Sequence, residues 1–221
     1  MNSLQRENVD QIRTRASNIH SILKKTYPEA KPLLHYRSAW ELLVGTILAA
    51  QCTDERVNQV TPALFAAYPG PRELADASQT RLEELIRSTG FFRNKAKNLK
   101  GLAGALMSGY SGKLPESMEE LVALPGIGRK TANVILGHCF GKPAIVVDTH
   151  FLRLSHRLGF STAAAPEKVE RDLKAIVPET IRTSFSDLIN WHGRFRCTAR
   201  KPDCPQCEIA ALCPYPEKTG T

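Results

Sequence analysis

Apolar residues recur along most of this chain at helical spacing. Trp40, Leu43, Val44, Ile47 and Leu48 fall on one helical face. Ser38, with Glu41 three residues on, predicts a capping box at the start of that helix. Thr80 and Glu83 repeat the device ahead of Leu85 and Ile86, and Gly90 is placed to stop the helix they begin. Ser117 and Glu120 do so a third time, before Leu121 and Leu124. Val169, Leu173 and Ile176 form another stripe with Pro166 in its first turn. Phe185, Leu188, Ile189 and His192 form a last one. Only Ala144 to Val147 reads as a strand, and it is too short to found a sheet. The pattern predicts an all-α protein of about ten helices. It changes after about Asp203. Residues 202–216 are rich in Cys and Pro and lack helical periodicity except around Glu208 to Leu212. That stretch predicts a compact loop held by something other than an apolar core.

The chain has 221 residues, enough for one large domain or two modest ones. Hydrophobic residues make up 42%, sufficient for a core throughout. Lys and Arg outnumber Asp and Glu by 30 to 22, a net charge of +8. Such an excess suits a polyanionic partner and says nothing about fold. The opening MNSLQRENVDQIRTR is polar and carries no apolar signal-peptide core. The apolar segments are too short or too interrupted to span a bilayer. These features predict a cytoplasmic protein with reduced cysteines and no membrane partner, and nothing in them demands more than a monomer.

The segment from Ser117 to Leu136 carries the most information. A short helix runs to Leu124, Pro125 and Gly126 break it, and Gly128 permits a sharp re-entry into a second helix from about Arg129 to Phe140. Two glycines around Ile127 let the backbone come close to a neighbour. The first amides of the second helix, around Arg129 and Thr131, are free to take a phosphate oxygen. Leu124-Pro-Gly-Ile-Gly fits the helix–hairpin–helix motif of DNA-binding proteins. Ala132, Ile135, Leu136 and Cys139 form the buried stripe of the second helix, and Lys130 lies almost opposite it. Periodicity alone reads Lys130 as a solvated surface lysine. Asp148 precedes the apolar pattern Phe151, Leu154, Leu158 and is a good N-cap.

Cys197-x6-Cys204-x2-Cys207-x5-Cys213 places four thiols close together. In a reduced cytosol that argues for metal, and the spacing by itself admits zinc as well as iron–sulfur. Cys52 and Cys139 lie in helical contexts and read as core thiols. Arg194, Arg196, Arg200 and Lys201 crowd the same region, either as a solvated charge run or as phosphate ligands.

Taken together these residues resemble the endonuclease III family of base-excision glycosylases, within the helix–hairpin–helix superfamily. Leu124 to Asn133 matches its hairpin and catalytic helix, and Val147-Asp-Thr-His its aspartate segment. The four C-terminal cysteines match its iron–sulfur loop, and Ala50-Gln-Cys-Thr-Asp a loop that enters DNA. The match runs from roughly residue 15 to 213. The resemblance implies Lys130 as nucleophile and Asp148 as its carboxylate. It implies Cys197, Cys204, Cys207 and Cys213 as ligands of a [4Fe–4S] cluster. Gln51 and Phe91 would fill the helix when a base is flipped, Phe91 being aromatic where relatives often carry an aliphatic residue. Leu124, Gly126, Gly128, Arg129, Thr131, His150, Arg200 and Lys201 would contact DNA. The architecture implied has two α-helical domains. A six-helix domain spans 32–142; a discontinuous one, 1–31 with 143–221, carries the cluster. Lys130 and Asp148 would then face each other across a cleft.

The activity implied is that of a bifunctional DNA glycosylase and abasic-site lyase in base excision repair. It would act on oxidised pyrimidines in duplex DNA, and DNA binding would associate it with the nucleoid. Relatives that only remove the base lack the lysine. A base-only glycosylase, a DNA-binding module without catalysis and a thiolate-metal redox protein are the competing readings. A lysine must be neutral to attack, and a free one is not until about pH 10.4. The dipole at a helix start is worth about 0.3–1 kcal/mol, less than one pH unit of help. The chemistry therefore predicts a closed pocket that desolvates the amine.

Overall fold

The computed structural model describes residues 7–219. All regular structure among them is helical. In chain order the α-helices are α1 (Val9–Thr26), α2 (Ala39–Leu48), α3 (Asp54–Ala67), α4 (Pro71–Ala75), α5 (Gln79–Ile86), α6 (Phe92–Gly109), α7 (Met118–Ala123), α8 (Arg129–Cys139), α9 (Thr149–Arg157), α10 (Pro166–Ile176) and α11 (Arg182–Phe195). Short 3-10 turns occupy Arg87–Thr89, Glu179–Ile181 and Ala210–Leu212. No described helix is long and apolar enough to cross a membrane. The chain divides into two compact units, Leu33–Lys142 and the segments up to Pro32 and from Pro143 joined together.

The continuous unit holds α2 to α8, seven helices where six were expected, the five-residue α4 being one of them. Helix α2 is its centre, with Trp40 to Gly45, Ile47 and Leu48 all buried. Each large aliphatic side chain so buried contributes about 1.5–3 kcal/mol. Ser38 caps α2 by accepting from the Glu41 amide at 3.2 Å. The carboxylate of Glu41 does not complete the expected box. It accepts instead from the Arg37 amide at 2.7 Å and from the Arg37 guanidinium at 2.8 Å. Helix α5 is capped two residues earlier than expected: Ser78, not Thr80, accepts from the Arg81 amide. Ser117 caps α7 as expected, accepting from the Glu120 amide at 3.2 Å. Cys52 lies in the turn after α2 rather than in a helix.

In the discontinuous unit α11 packs on α1 and α9, and α10 packs on both of those. Phe151, Phe185, Leu188 and Ile189 form its centre with Ile19 and Leu23. Pro166 opens α10 as expected. The strand-like residues Ala144 to Val147 form an extended segment without a partner strand. Two hydroxyls on α11 do a ladder's work: Thr183 accepts from the Ala144 amide at 3.3 Å and Ser186 from the Val146 amide at 3.0 Å. Two amides of the segment are thereby satisfied without a sheet.

His20 on α1 is buried and shares a 2.9 Å hydrogen bond with Ser184. Burial, with Lys24 nearby, lowers its pKa below the ordinary 6.5. The unfolded chain therefore takes up this proton before the folded one does, so stability falls as pH drops below 6.5. Urea unfolding at about pH 8 and about pH 5 should show this loss, and His20→Gln should reduce it.

Candidate active site and cysteine loop

The hairpin between α7 and α8 is seated on α6. Leu124 closes α7 in extended conformation, and the Ile127 amide donates to the Leu124 carbonyl at 3.3 Å. Gly126 makes the sharp turn, with φ at +77°. A Cβ there would stand 2.9 Å from the Cβ of Asn98 on α6, so Gly126 is required twice over. Gly128 differs from the expectation. Its φ is −93°, open to any residue, and a Cβ on it would meet nothing within 4 Å. Its bareness has no use inside the fold and leaves backbone open to something outside. No side chain caps the α8 N-terminus that it precedes. Leu124 and Ile127 are both buried at 6% exposure, so Leu124 can offer a partner only its backbone.

Along α8, Ala132, Ile135 and Leu136 are buried and Cys139 half-buried, as the stripe required. Burial pushes the Cys139 thiol pKa up, which fits a core thiol. Lys130 and Arg129 are exposed and Thr131 half-buried. Within its own unit Lys130 has no closed surrounding.

Gln51 and Phe91 sit at the tips of two turns of the same unit. Both hold left-handed backbones, with φ at 53° and 47°, which non-glycine residues adopt only when their surroundings enforce it. Gln51 is exposed, and Phe91 keeps 63% of its surface in solvent.

In the other unit Asp148 is the N-cap of α9, and its carboxylate accepts from the Phe151 amide at 2.8 Å. Its second oxygen accepts from the Asn190 side-chain amide on α11. The Asn190 oxygen in turn accepts from Arg194 Nε at 2.8 Å. The half-buried carboxylate is thus fixed in direction by a chain that sequence reasoning missed. Asn190 lies 42 positions away and carries no motif of its own. Gly193 lets α9 approach α11: a Cβ on it would stand 3.0 Å from the His150 Cβ. His150 is half-buried, and its pKa is lowered mainly by burial.

All four C-terminal cysteines line one cavity, together with Arg157, His192, Ile209 and Tyr215. Arg157 reaches from α9 to donate to the Cys197 sulfur at 3.1 Å and to the Thr198 carbonyl at 2.8 Å. Burial pushes His192 down to about 4, so its ring is neutral near pH 7. Tyr27, pushed up to about 12 chiefly by burial, shares a 3.2 Å hydrogen bond with His192 Nδ1. The other ring nitrogen, Nε2, faces the Cys207 sulfur at 3.4 Å. Burial raises the Cys207 thiol to about 11 and also raises Cys213, so a cation in the cavity is what would hold thiolates there. Among the described residues no three ligand-type side chains close on a single point. Arg196 is held by Asp203 at 2.6 Å and Glu208 at 3.0 Å, while Arg200 and Lys201 are exposed at the loop's edge.

An all-helical chain with a glycine hairpin ahead of an exposed lysine, and a four-cysteine loop, defines a helix–hairpin–helix protein. The family model for the HhH-GPD superfamily of base excision DNA repair proteins matches residues 44–179. The chain is 53% identical over 201 residues to the endonuclease III of Synechocystis sp. (strain ATCC 27184 / PCC 6803 / Kazusa), covering 90% of this chain and 92% of that protein. It is 40% identical over 188 residues to that of Bacillus subtilis (strain 168), covering 85% and 86%. A solved non-covalent endonuclease III–DNA complex superposes with a TM-score of 0.87 at 39% identity, covering 92% of this chain and 95% of that one. A trapped endonuclease III–DNA covalent intermediate does so with the same TM-score and identity, covering 92% and 96%. This chain belongs to the HhH-GPD superfamily of base excision DNA repair proteins and, within it, to the endonuclease III family.

Proposed function

We propose that this chain excises oxidised pyrimidines from duplex DNA and then cuts the strand at the abasic site, with Lys130 as nucleophile and Asp148 as its carboxylate. The observation that carries the reading is the setting of Lys130. It is exposed in the first turn of a helix with no side-chain cap, two residues after a glycine whose bareness serves nothing inside the fold. The backbone of the Leu124–Gly128 turn and the first amides of α8 bind phosphate, with Arg129 and Thr131 beside them. The damaged nucleotide is flipped out, at a cost of a few kcal/mol. Gln51 and Phe91 take its place in the stack. His150, Arg200 and Lys201 add contacts to the DNA backbone.

As the base leaves, C1′ gains positive character, which the Asp148 carboxylate stabilises. Lys130 Nζ bonds to C1′, and ring opening gives a Schiff base, with the proton released passing to solvent or the departing base. Loss of a C2′ proton then expels the 3′ oxygen as the phosphate leaving group and breaks the strand by β-elimination. Bound DNA supplies the desolvation that an exposed Lys130 lacks in the free chain.

The donor set fits a [4Fe–4S] cluster held by Cys197, Cys204, Cys207 and Cys213. The thiols surround a cavity, an Arg157 N–H donates to the Cys197 sulfur, and His192 Nε2 lies against that of Cys207. When bound, the cluster would fix the loop that presents Arg200 and Lys201. Purified protein should be yellow-brown with iron and acid-labile sulfide, and Cys204→Ser should lose both; stoichiometric zinc without iron would contradict the assignment. The activity is tested on a duplex carrying one oxidised pyrimidine. A strand break on its 3′ side is expected, and an intact strand with the base still attached rejects the reading.

A further inference from the structure

We propose that Lys95 is a positioning residue whose buried ammonium ties the turn carrying Gln51 to the turn carrying Phe91, so that both side chains enter DNA as one rigid wedge. This rests on the reading of Gln51 and Phe91 given above. Lys95, on α6, is only 5% exposed. Its Nζ donates to the Leu48 carbonyl at 2.8 Å and to the Thr89 carbonyl at 2.7 Å. Leu48 is the last residue of α2, just ahead of the Gln51 turn. Thr89 ends the 3-10 turn just ahead of Gly90 and Phe91. One ammonium therefore joins the chain ends from which both left-handed tips spring.

The other bonds of these turns are local. The Cys52 amide donates to Ala49 at 3.1 Å, and the Gly90 amide donates to Arg87 at 3.4 Å. Such bonds shape each turn without setting one against the other. The Lys95 amide also donates to the Phe91 carbonyl at 3.1 Å, so the residue is one helical turn from the second tip. Burial, partly opposed by Cys52, lowers its pKa, the ordinary consequence of taking an ammonium out of water. Among the described residues no other backbone donor reaches the Leu48 and Thr89 carbonyls, so the one ammonium satisfies both turns at once. Two carbonyls at helix ends are good acceptors for a cation, and both lie where the turns must be held at a set spacing.

The test compares wild type with Lys95→Met, which keeps the length and removes the donors. Two substrates are used: duplex DNA with one oxidised pyrimidine, and single-stranded DNA with one abasic site. The single strand has no opposite base and no stack to fill, so it needs Lys130 and Asp148 but not the wedge. We expect single-turnover base release from the duplex to fall about tenfold or more in Lys95→Met, while borohydride trapping on the single strand stays within about twofold. Equal losses on both substrates, or none on either, overturn the proposal. Wild type that traps on neither substrate sinks the underlying reading instead. If Lys95→Met does not fold, a double-mutant cycle of Gln51→Ala and Phe91→Ala in the otherwise native chain decides. A rigid wedge predicts non-additive losses, and strictly additive ones overturn it.

Discussion

Lys130→Ala should abolish strand cleavage while leaving the fold and DNA binding in place. The side chain is exposed on the face of α8 opposite the buried stripe of Ala132, Ile135 and Leu136, so its removal leaves no cavity. Stability should change by no more than about 0.5 kcal/mol in urea unfolding. The chemistry should change far more. Without the amine no Schiff base forms and C2′ is not acidified, so the rate of strand scission should drop about a thousandfold or more. Filter binding to duplex with an abasic site should remain close to wild type, because the hairpin amides and Gly128 are untouched. Strand cleavage at the wild-type rate would remove Lys130 from the mechanism.

Asp148→Asn and Asp148→Ala should separate two duties of one carboxylate. The wild-type side chain accepts from the Phe151 amide and from Asn190. Alanine forfeits the cap and both bonds, and a lost N-cap typically costs about 1 kcal/mol. Asparagine can still cap α9, but its amide group then opposes the amide of Asn190. Turning Asn190 over would instead set that amide against the Arg194 Nε–H it now accepts. Both variants should therefore be less stable, Asp148→Ala more so. Base release should fall about a hundredfold or more in each, since neither retains the negative charge beside the developing cation. If Asp148→Asn keeps full base release, the carboxylate is a cap and nothing else.

The residues that the pattern revealed are those whose roles are local. Asp148 was readable as a cap because N-caps are short polar residues ahead of an apolar helix, and the structure puts it there. The α8 stripe was readable because burial follows helical period. What escaped depends on partners distant in sequence. Ala144 to Val147 has the composition of a strand, yet hydroxyls on α11 some forty positions on take the place of a neighbouring strand. Asn190 aims Asp148 from 42 positions away, and Lys95 reaches Leu48 across 47. Polar residues on otherwise ordinary helices gave no sign of either. The residue pattern placed the sharp re-entry at Gly128, and only backbone geometry assigns the sharp turn to Gly126. The cysteine spacing left zinc and iron–sulfur open. The cavity that all four thiols line is a property of the folded loop.

The claim that Lys130 is the nucleophile is tested most directly by trapping. Wild-type protein is incubated with duplex DNA bearing one oxidised pyrimidine in the presence of borohydride, and the product is digested and mapped. A covalent protein–DNA adduct is expected on the peptide containing Lys130, absent from Lys130→Ala. Base release without any adduct, or an adduct on a different residue, would contradict it.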